Sequence, residues 1–189
     1  MRFLATLTLA TLLTPLWASA APVRQELSKS SSRITFGVQS PNPTLAMNGS
    51  FKDFDGVFEL HPSEITDSKL ELTLNLGSAT LPPDQLMQAL FVQGIIARVA
   101  PTPNTFRSSR FEHKAGNSYL LHGTYTWMNK LKKIAVPVTI SEASPSRTRI
   151  QLALEGSFSQ REAPRNVEGL AASAAGSEGW TKATLVFTP

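Results

Sequence analysis

Met47-Asn48-Gly49-Ser50-Phe51-Lys52-Asp53-Phe54-Asp55-Gly56-Val57-Phe58 is the stretch on which the reading of the fold turns. It reads as the end of one strand, a tight turn and the start of the next. Asp55-Gly56 is the turn pair in this reading, because Gly takes positive φ without steric cost and Asp can bond back to nearby backbone amides. Phe51, Phe54 and Phe58 load both flanks of the turn with ring area. Gly49, inside a strand pattern, marks a bulge or a bend where another backbone comes close. Such bends make a sheet curl.

Outward from this hairpin the pattern is period two almost throughout. Upstream, Ile34, Phe36 and Val38 share one face while Arg33, Thr35 and Gly37 share the other, and Pro41 and Pro43 end the run. Residues 21–31 are polar and Ser-rich and read as a loose leader. Downstream, Thr44–Lys52 and Gly56–His61 are the two arms of the hairpin, and Pro62–Asp67 is a loop. Lys69–Leu76 alternates Leu70, Leu72, Leu74 and Leu76 against Glu71, Thr73 and Asn75, as in an antiparallel sheet with one face wet.

The period changes after Leu81. Pro82 and Pro83 suit a first helical turn and Asp84 complements its positive end. Leu86, Met87, Leu90, Phe91 and Ile95 then fall near helical spacing, which predicts one helix from Asp84 to about Val99, a plug or a lid on one end of the sheet. Strands return with Asn104–Lys114 and Ser118–Met128, joined by a turn at Ala115-Gly116-Asn117. Ile134, Val136, Val138 and Ile140 lead back, and Pro137, lacking an amide hydrogen, places its strand at an edge or a bulge. Ile150, Leu152 and Leu154 alternate once more, Pro164–Gly179 is expected to be flexible, and Thr181–Thr188 is the last strand.

The first residues carry an export signal: Arg2, the apolar run Phe3–Leu16, and the small-residue site Ala18-Ser19-Ala20. The run is shorter than the ~20 residues that span a bilayer. Residues 1–20 are therefore expected to be a signal peptide cleaved after Ala20, residues 21–189 a single β-barrel domain, and the compartment the periplasm. The sequence has no Cys, which removes thiol catalysis, thiolate metal sites and lipoprotein anchoring. Basic residues group at Lys130, Lys132 and Lys133, at Arg107 and Arg110, and at Arg161 and Arg165. They fit strand edges that discourage edge-to-edge pairing, or attraction to an anionic membrane face. The aromatics do not interleave with them, so nucleic acid is not an expected partner.

Four pieces of the chain resemble the YceI-like family of secreted bacterial proteins, in family order. They are Ser32–Val38, Gly49–Gly56, Asn104–Ser109, and Tyr119–Ile140 with its Gly123, Asn129, Lys133 and Val136-Pro137-Val138. Together they cover roughly residues 32–160. Two stretches depart from the family: Pro83–Phe91 stands where Arg-Asp-x-His-Leu is usual, and Ser159–Ala163 where Arg-x-Asp-Phe-Gly is usual. The chain is thus similar to a divergent member. The resemblance implies an all-β, single antiparallel lipocalin-like barrel of about eight strands with one short helix, holding a long apolar molecule of isoprenoid type.

Side-chain chemistry assigns no catalytic residue and no metal ligand. His61, His113 and His122 lack ligand spacing, Asp53 and Asp55 bracket the supposed turn, and there is no G-x-S-x-G or phosphate loop. What remains is the excess of one-sided apolar strands. A barrel of about eight strands can be filled by side chains or hold one small ligand. A tail burying about ten carbons would gain some 8 kcal/mol before ordering costs.

The function expected is a non-enzymatic periplasmic carrier for an isoprenoid (quinone-like) or acyl lipid, with no cofactor beyond such a lipid. The competing reading is an interaction module, a filled barrel that binds a membrane protein. Partners expected are the apolar small molecule and a peripheral contact with a membrane or a membrane protein; a dimer is one open state of assembly. The inward rows predict a ligand lining of Phe36, Val38, Leu72, Leu74, Phe106, Leu121, Tyr125, Val136, Val138, Leu152 and Leu154, with Phe91 over the mouth. Gly123, on the face of Leu121 and Tyr125, is expected to border the ligand space and to tolerate Leu if the barrel is hollow.

Overall fold

The computed structural model describes residues 21–41, 43, 46–61, 64–85, 89, 93–94, 104–127, 130–142, 149–159 and 178–189. The expected signal peptide, Phe91 and most of Pro164–Gly179 lie outside them, as does most of the expected helix. Of that helix, Ala89, Gln93 and Gly94 are described and helical, and Ala89 N donates to the Gln85 carbonyl at 2.9 Å.

Among the described residues eleven strands are joined in one antiparallel sheet. They are β1 (Val23–Leu27), β2 (Arg33–Gln39), β3 (Met47–Phe51), β4 (Phe54–Leu60), β5 (Lys69–Leu74), β6 (Ala79–Thr80), β7 (Asn104–Ala115), β8 (Ser118–Trp127), β9 (Lys130–Glu142), β10 (Ile150–Ser159) and β11 (Glu178–Thr188). The first six are three long strands, each broken once. β1 and β2 follow one edge of β11, Leu27 opposite Phe187 and Ile34 opposite Ala183. β4 and β3 follow β1 and β2, Val57 opposite Glu26 and Phe51 opposite Ile34. β5 and β6 follow in turn, Leu74 opposite Phe54 and Ala79 opposite Phe51. Counted this way the sheet is a closed barrel of eight strands, the all-β, lipocalin-like architecture that the alternation and the resemblance imply.

The three breaks stand side by side and polar groups tie them together. Lys29, in the first break, lies 3.9 Å from Asp53 and 3.4 Å from Asp55. Asn75 Nδ2, in the third, donates to Asp53 Oδ2 at 3.0 Å, and Asn75 N donates to the Asp53 carbonyl at 3.1 Å. Ser78 Oγ accepts from the amides of Lys52 and Asp53 at 3.2 and 2.9 Å. Backbone groups that lose their ladder partners at a break regain them here.

Two expectations are overturned. Asp55-Gly56 is not a turn: both residues lie inside β4, opposite Thr73 and Leu72 of β5. Asp55 Oδ1 does accept from the Gly56 amide at 2.8 Å, yet the glycine serves packing rather than turning. A Cβ at Gly56 would stand 2.6 Å from Leu72 Cδ2 and 3.0 Å from the Glu71 carbonyl oxygen. The supposed loose leader is also structured: β1 closes the barrel, with Gln25 and Leu27 buried. A short closing strand needs only two inward residues, so its composition stays polar. By contrast, Gly116 does turn, at φ 55°, between β7 and β8 where the sequence places it. Gly49 is a close approach as expected, since a Cβ there would meet Phe36 Cζ and the Thr80 carbonyl oxygen, each at 2.6 Å.

The core fills the end of the barrel where β1 meets β11. Phe58, Leu121, Ile150, Leu152, Leu185 and Phe187 have no exposed surface there. Phe58 packs between Phe187 and Phe111, with ring centroids 5.6 and 5.9 Å apart. Each such side chain contributes about 1.5–3 kcal/mol by leaving water. This end is a solid floor.

Candidate ligand-binding site

In the opposite half of the same barrel most inward residues of the described strands are only partly buried, Met47 excepted. On β9 the inward row runs Ile140, Val138, Val136, Ile134: the first two are buried, the next two only partly. On β10 it runs Ile150, Leu152, Leu154, Gly156, with the same change at Leu154. Phe36, Val38, Phe51, Leu72, Leu74, Phe106 and Tyr125, on the inward rows at this mouth end, are also half-buried. Gly156 shows the consequence most directly. A Cβ built there meets no heavy atom of the described residues within 4 Å.

The wall itself parts beside Gly156. β9 and β10 pair from Glu142–Ile150 only as far as Val138–Leu154. Beyond that point, among the described residues, Lys130–Pro137 is bonded only to β8 and Glu155–Ser159 only to β11. Pro137, with no amide hydrogen to donate, is the first residue past the last pair. Its expected edge position is thereby met, as a local edge inside a closed barrel. On the other flank, β6 is bonded to β3 and β7 to β5 and β8; β6 and β7 are not paired.

Of the predicted lining, Leu121, Val138 and Leu152 are placed in the floor, at 0, 2 and 0 % exposure. Phe36, Val38, Leu72, Leu74, Phe106, Tyr125, Val136 and Leu154 are partly buried on the inward rows of the other half, Leu72, Leu74, Phe106 and Leu154 packing against the core. Phe91 lies outside the described residues. Phe51, Ile134 and Gly156 were missing from that lining. Ile134 and Gly156 share the alternation of Val136 and Leu154, so simple extension of those rows finds them. Phe51 was assigned to the flank of a turn that does not exist; its ring lies 4.8 Å from that of Phe36.

Gly123 is the reverse case. It was expected to border open space, but a Cβ there would stand 2.5 Å from the Phe106 ring and 2.6 Å from the Arg107 carbonyl oxygen. The glycine makes room for Phe106, so it cannot report on a cavity. The Phe-basic-Ser pattern around it is structural: Arg107 pairs with Glu71 at 2.7 Å, and Ser108 Oγ accepts from Leu70 N at 2.7 Å.

The polar groups stand on the outer wall. His122 Nε2 donates to Glu112 Oε2 at 2.7 Å, and Arg110 and Lys114 flank the same carboxylate. Hydrogen bonds from Lys114 first, then His122, hold Glu112 down to about 2. His113 meets the Gly116 carbonyl at 2.9 Å, so the histidines serve separate local contacts. No group of three or more His, Asp or Glu that could hold a metal gathers among the described residues. Two clefts of about 510 and 470 Å³ open at the break line and on the outer face of β2–β3–β6, with Lys29, Arg33, Ser50 and Lys52 around the first. Neither is an apolar tail site.

A closed eight-stranded antiparallel barrel with a packed floor defines a lipocalin-like fold. Within that class the chain belongs to the YceI-like domain family, which it matches over residues 26–174. Its fold is similar to that of BcnA from Burkholderia cenocepacia, at TM-score 0.69 and 19% identity, covering 85% of this chain and 98% of that one. It is also similar to a polyisoprenoid binding domain from Saccharophagus degradans implicated in plant cell wall breakdown. There the TM-score is 0.61 and the identity 12%, covering 87% of this chain and 97% of that one. Comparison with curated proteins finds no match.

Proposed function

We propose that the chain is an exported, periplasmic carrier that holds one apolar lipid, isoprenoid or acyl, by its tail. The observation that carries this is the partly buried inner half: Phe36, Phe51, Leu72, Phe106, Ile134 and Leu154 on the inward rows, and a Gly156 whose Cβ would meet no heavy atom of the described residues within 4 Å. Apolar side chains left half-buried on an inward face gain about 25 cal/mol for each Å² of apolar surface that a tail covers. No polar catalyst is needed for such binding, so the reading is of a binding protein and not an enzyme. The polyisoprenoid binding of the Saccharophagus degradans relative supports the isoprenoid half of the proposal. The signal-like residues 1–20 support export and a mature domain beginning at Ala21.

Native mass spectrometry of protein purified from a lysate that still contains its membranes, followed by organic extraction, tests the proposal. A bound lipid of several hundred daltons is expected. Recovery of an empty protein that also refuses added quinones and fatty acids would overturn it.

A further inference from the structure

A carrier has to meet the membrane in which its lipid lives, and one part of this barrel is built unlike the rest of its surface. Past the last β9–β10 pair β9 continues on β8, and beyond the last β7–β8 pair, Phe106–Tyr125, the tip Thr126–Trp127 and Lys130–Leu131 is two-stranded among the described residues. At that tip Leu131 is 74% exposed, against 43% for Val23, the other large apolar side chain exposed among the described residues. Lys130, Lys132 and Lys133 surround it, all exposed. Among the described residues none of the three pairs with a carboxylate, whereas Lys114, Lys182 and Arg107 each do. Glu155 and Glu71 are engaged elsewhere, Glu155 with Lys182 at 2.9 Å and Glu71 with Arg107 at 2.7 Å.

Position adds to chemistry. Side chains alternate along a strand, so Lys130 and Lys132 continue the inward row of Ile134 and Val136 past the rim, while Leu131 and Lys133 stand on the outer row. Lys132 is directly opposite Tyr125, which is opposite Phe106. The cations therefore crown the mouth, not the floor. A leucine standing in water between unpaired lysines is costly on a free surface, and both residue types gain from an anionic bilayer: the lysines from its surface potential, the leucine from its acyl boundary.

We propose that the β8–β9 tip docks the mouth on an anionic lipid bilayer, Leu131 entering the interface and Lys130, Lys132 and Lys133 contacting lipid headgroups. The inference rests on the carrier reading, and the experiment separates the two. Flotation with neutral phosphatidylcholine vesicles and with vesicles containing phosphatidylglycerol measures docking; quinone uptake from detergent micelles measures carriage without a bilayer. The wild-type chain should bind the anionic vesicles at least tenfold more tightly than the neutral ones, and lose that preference in high salt. Each lysine removed should weaken binding about fivefold, and Lys130→Glu, Lys132→Glu and Lys133→Glu together should abolish it. Leu131→Asn should weaken it several-fold at every salt concentration. Melting temperature should be unchanged in all variants, and micelle uptake unchanged in Leu131→Asn and Lys133→Glu, whose side chains stand on the outer row. Equal affinity for both vesicles, or undiminished binding by the triple variant, would overturn the proposal. So would binding seen only when membrane proteins are present in the vesicles, which would make a protein the receptor. Loss of micelle uptake in the wild type, with docking intact, would overturn the carrier reading alone.

Discussion

The floor and the mouth of this barrel are built from the same residue types on the same strands. Ile150 and Leu152 on β10 are wholly buried, and Leu154, one inward step further on, is not. The difference lies in what faces them. At the floor Phe58, Phe111 and Phe187 meet at the centre and fill the bore. At the mouth the wall has parted at Pro137, the first six strands have passed their breaks, and Gly156 contributes no side chain. An inward position therefore means packed core at one height and a partly buried wall at another.

That contrast is broken most severely from below. Phe58→Ala should cost about 3–5 kcal/mol, measured by urea denaturation, because the Phe111 and Phe187 rings on its two sides lose their contact. A loss below ~1 kcal/mol would mean that the floor is not close-packed. Gly123→Leu should cost about 1–3 kcal/mol or more, since its side chain must displace Phe106 against the Arg107 carbonyl. Wild-type stability of that variant would show that Phe106 has free space to move into. Leu154→Ala, at the mouth, should cost clearly less than the ~2–5 kcal/mol typical of a buried leucine while lowering lipid uptake severalfold. Equal stability losses at Leu152 and Leu154 would erase the distinction between the halves.

The smallest effect is electrostatic and on the outer wall. Glu112 is depressed to about 2 from 4.5, so its contribution is present above the unfolded value near 4.5 and is lost as pH falls towards 2. Glu112→Gln should therefore flatten the acid limb of the melting curve over that window and leave the neutral limb nearly parallel to wild type. An unchanged acid limb would place the linkage elsewhere.

Much of the barrel was legible because its strands keep one wet face. The rows of β2, β5, β8, β9 and β10, the Gly116 turn and the edge at Pro137 all follow from period two and backbone chemistry. Depth along the bore was not legible. Alternation tells which side a residue faces but not whether a ring from across the barrel reaches it, so Leu121 and Leu154 look alike in sequence. Glycine carries two meanings that sequence cannot separate: at Gly56 and Gly123 it admits a neighbouring side chain, at Gly156 no described residue stands where a Cβ would. The Asp55-Gly56 pair was misread for that reason. The polar leader concealed β1 because a two-residue inward row is too short to register as a period.

The central claim is that the barrel is solid below Leu154 and hollow above it, and Gly156→Phe tests it most directly. Thermal melting and lipid uptake would be measured on the same preparation. In a hollow mouth the new ring enters open space, so the melting temperature should stay within a few degrees of wild type while uptake of quinone or fatty acid is lost. A collapse in melting temperature, or uptake undiminished by a ring at that position, would contradict the account.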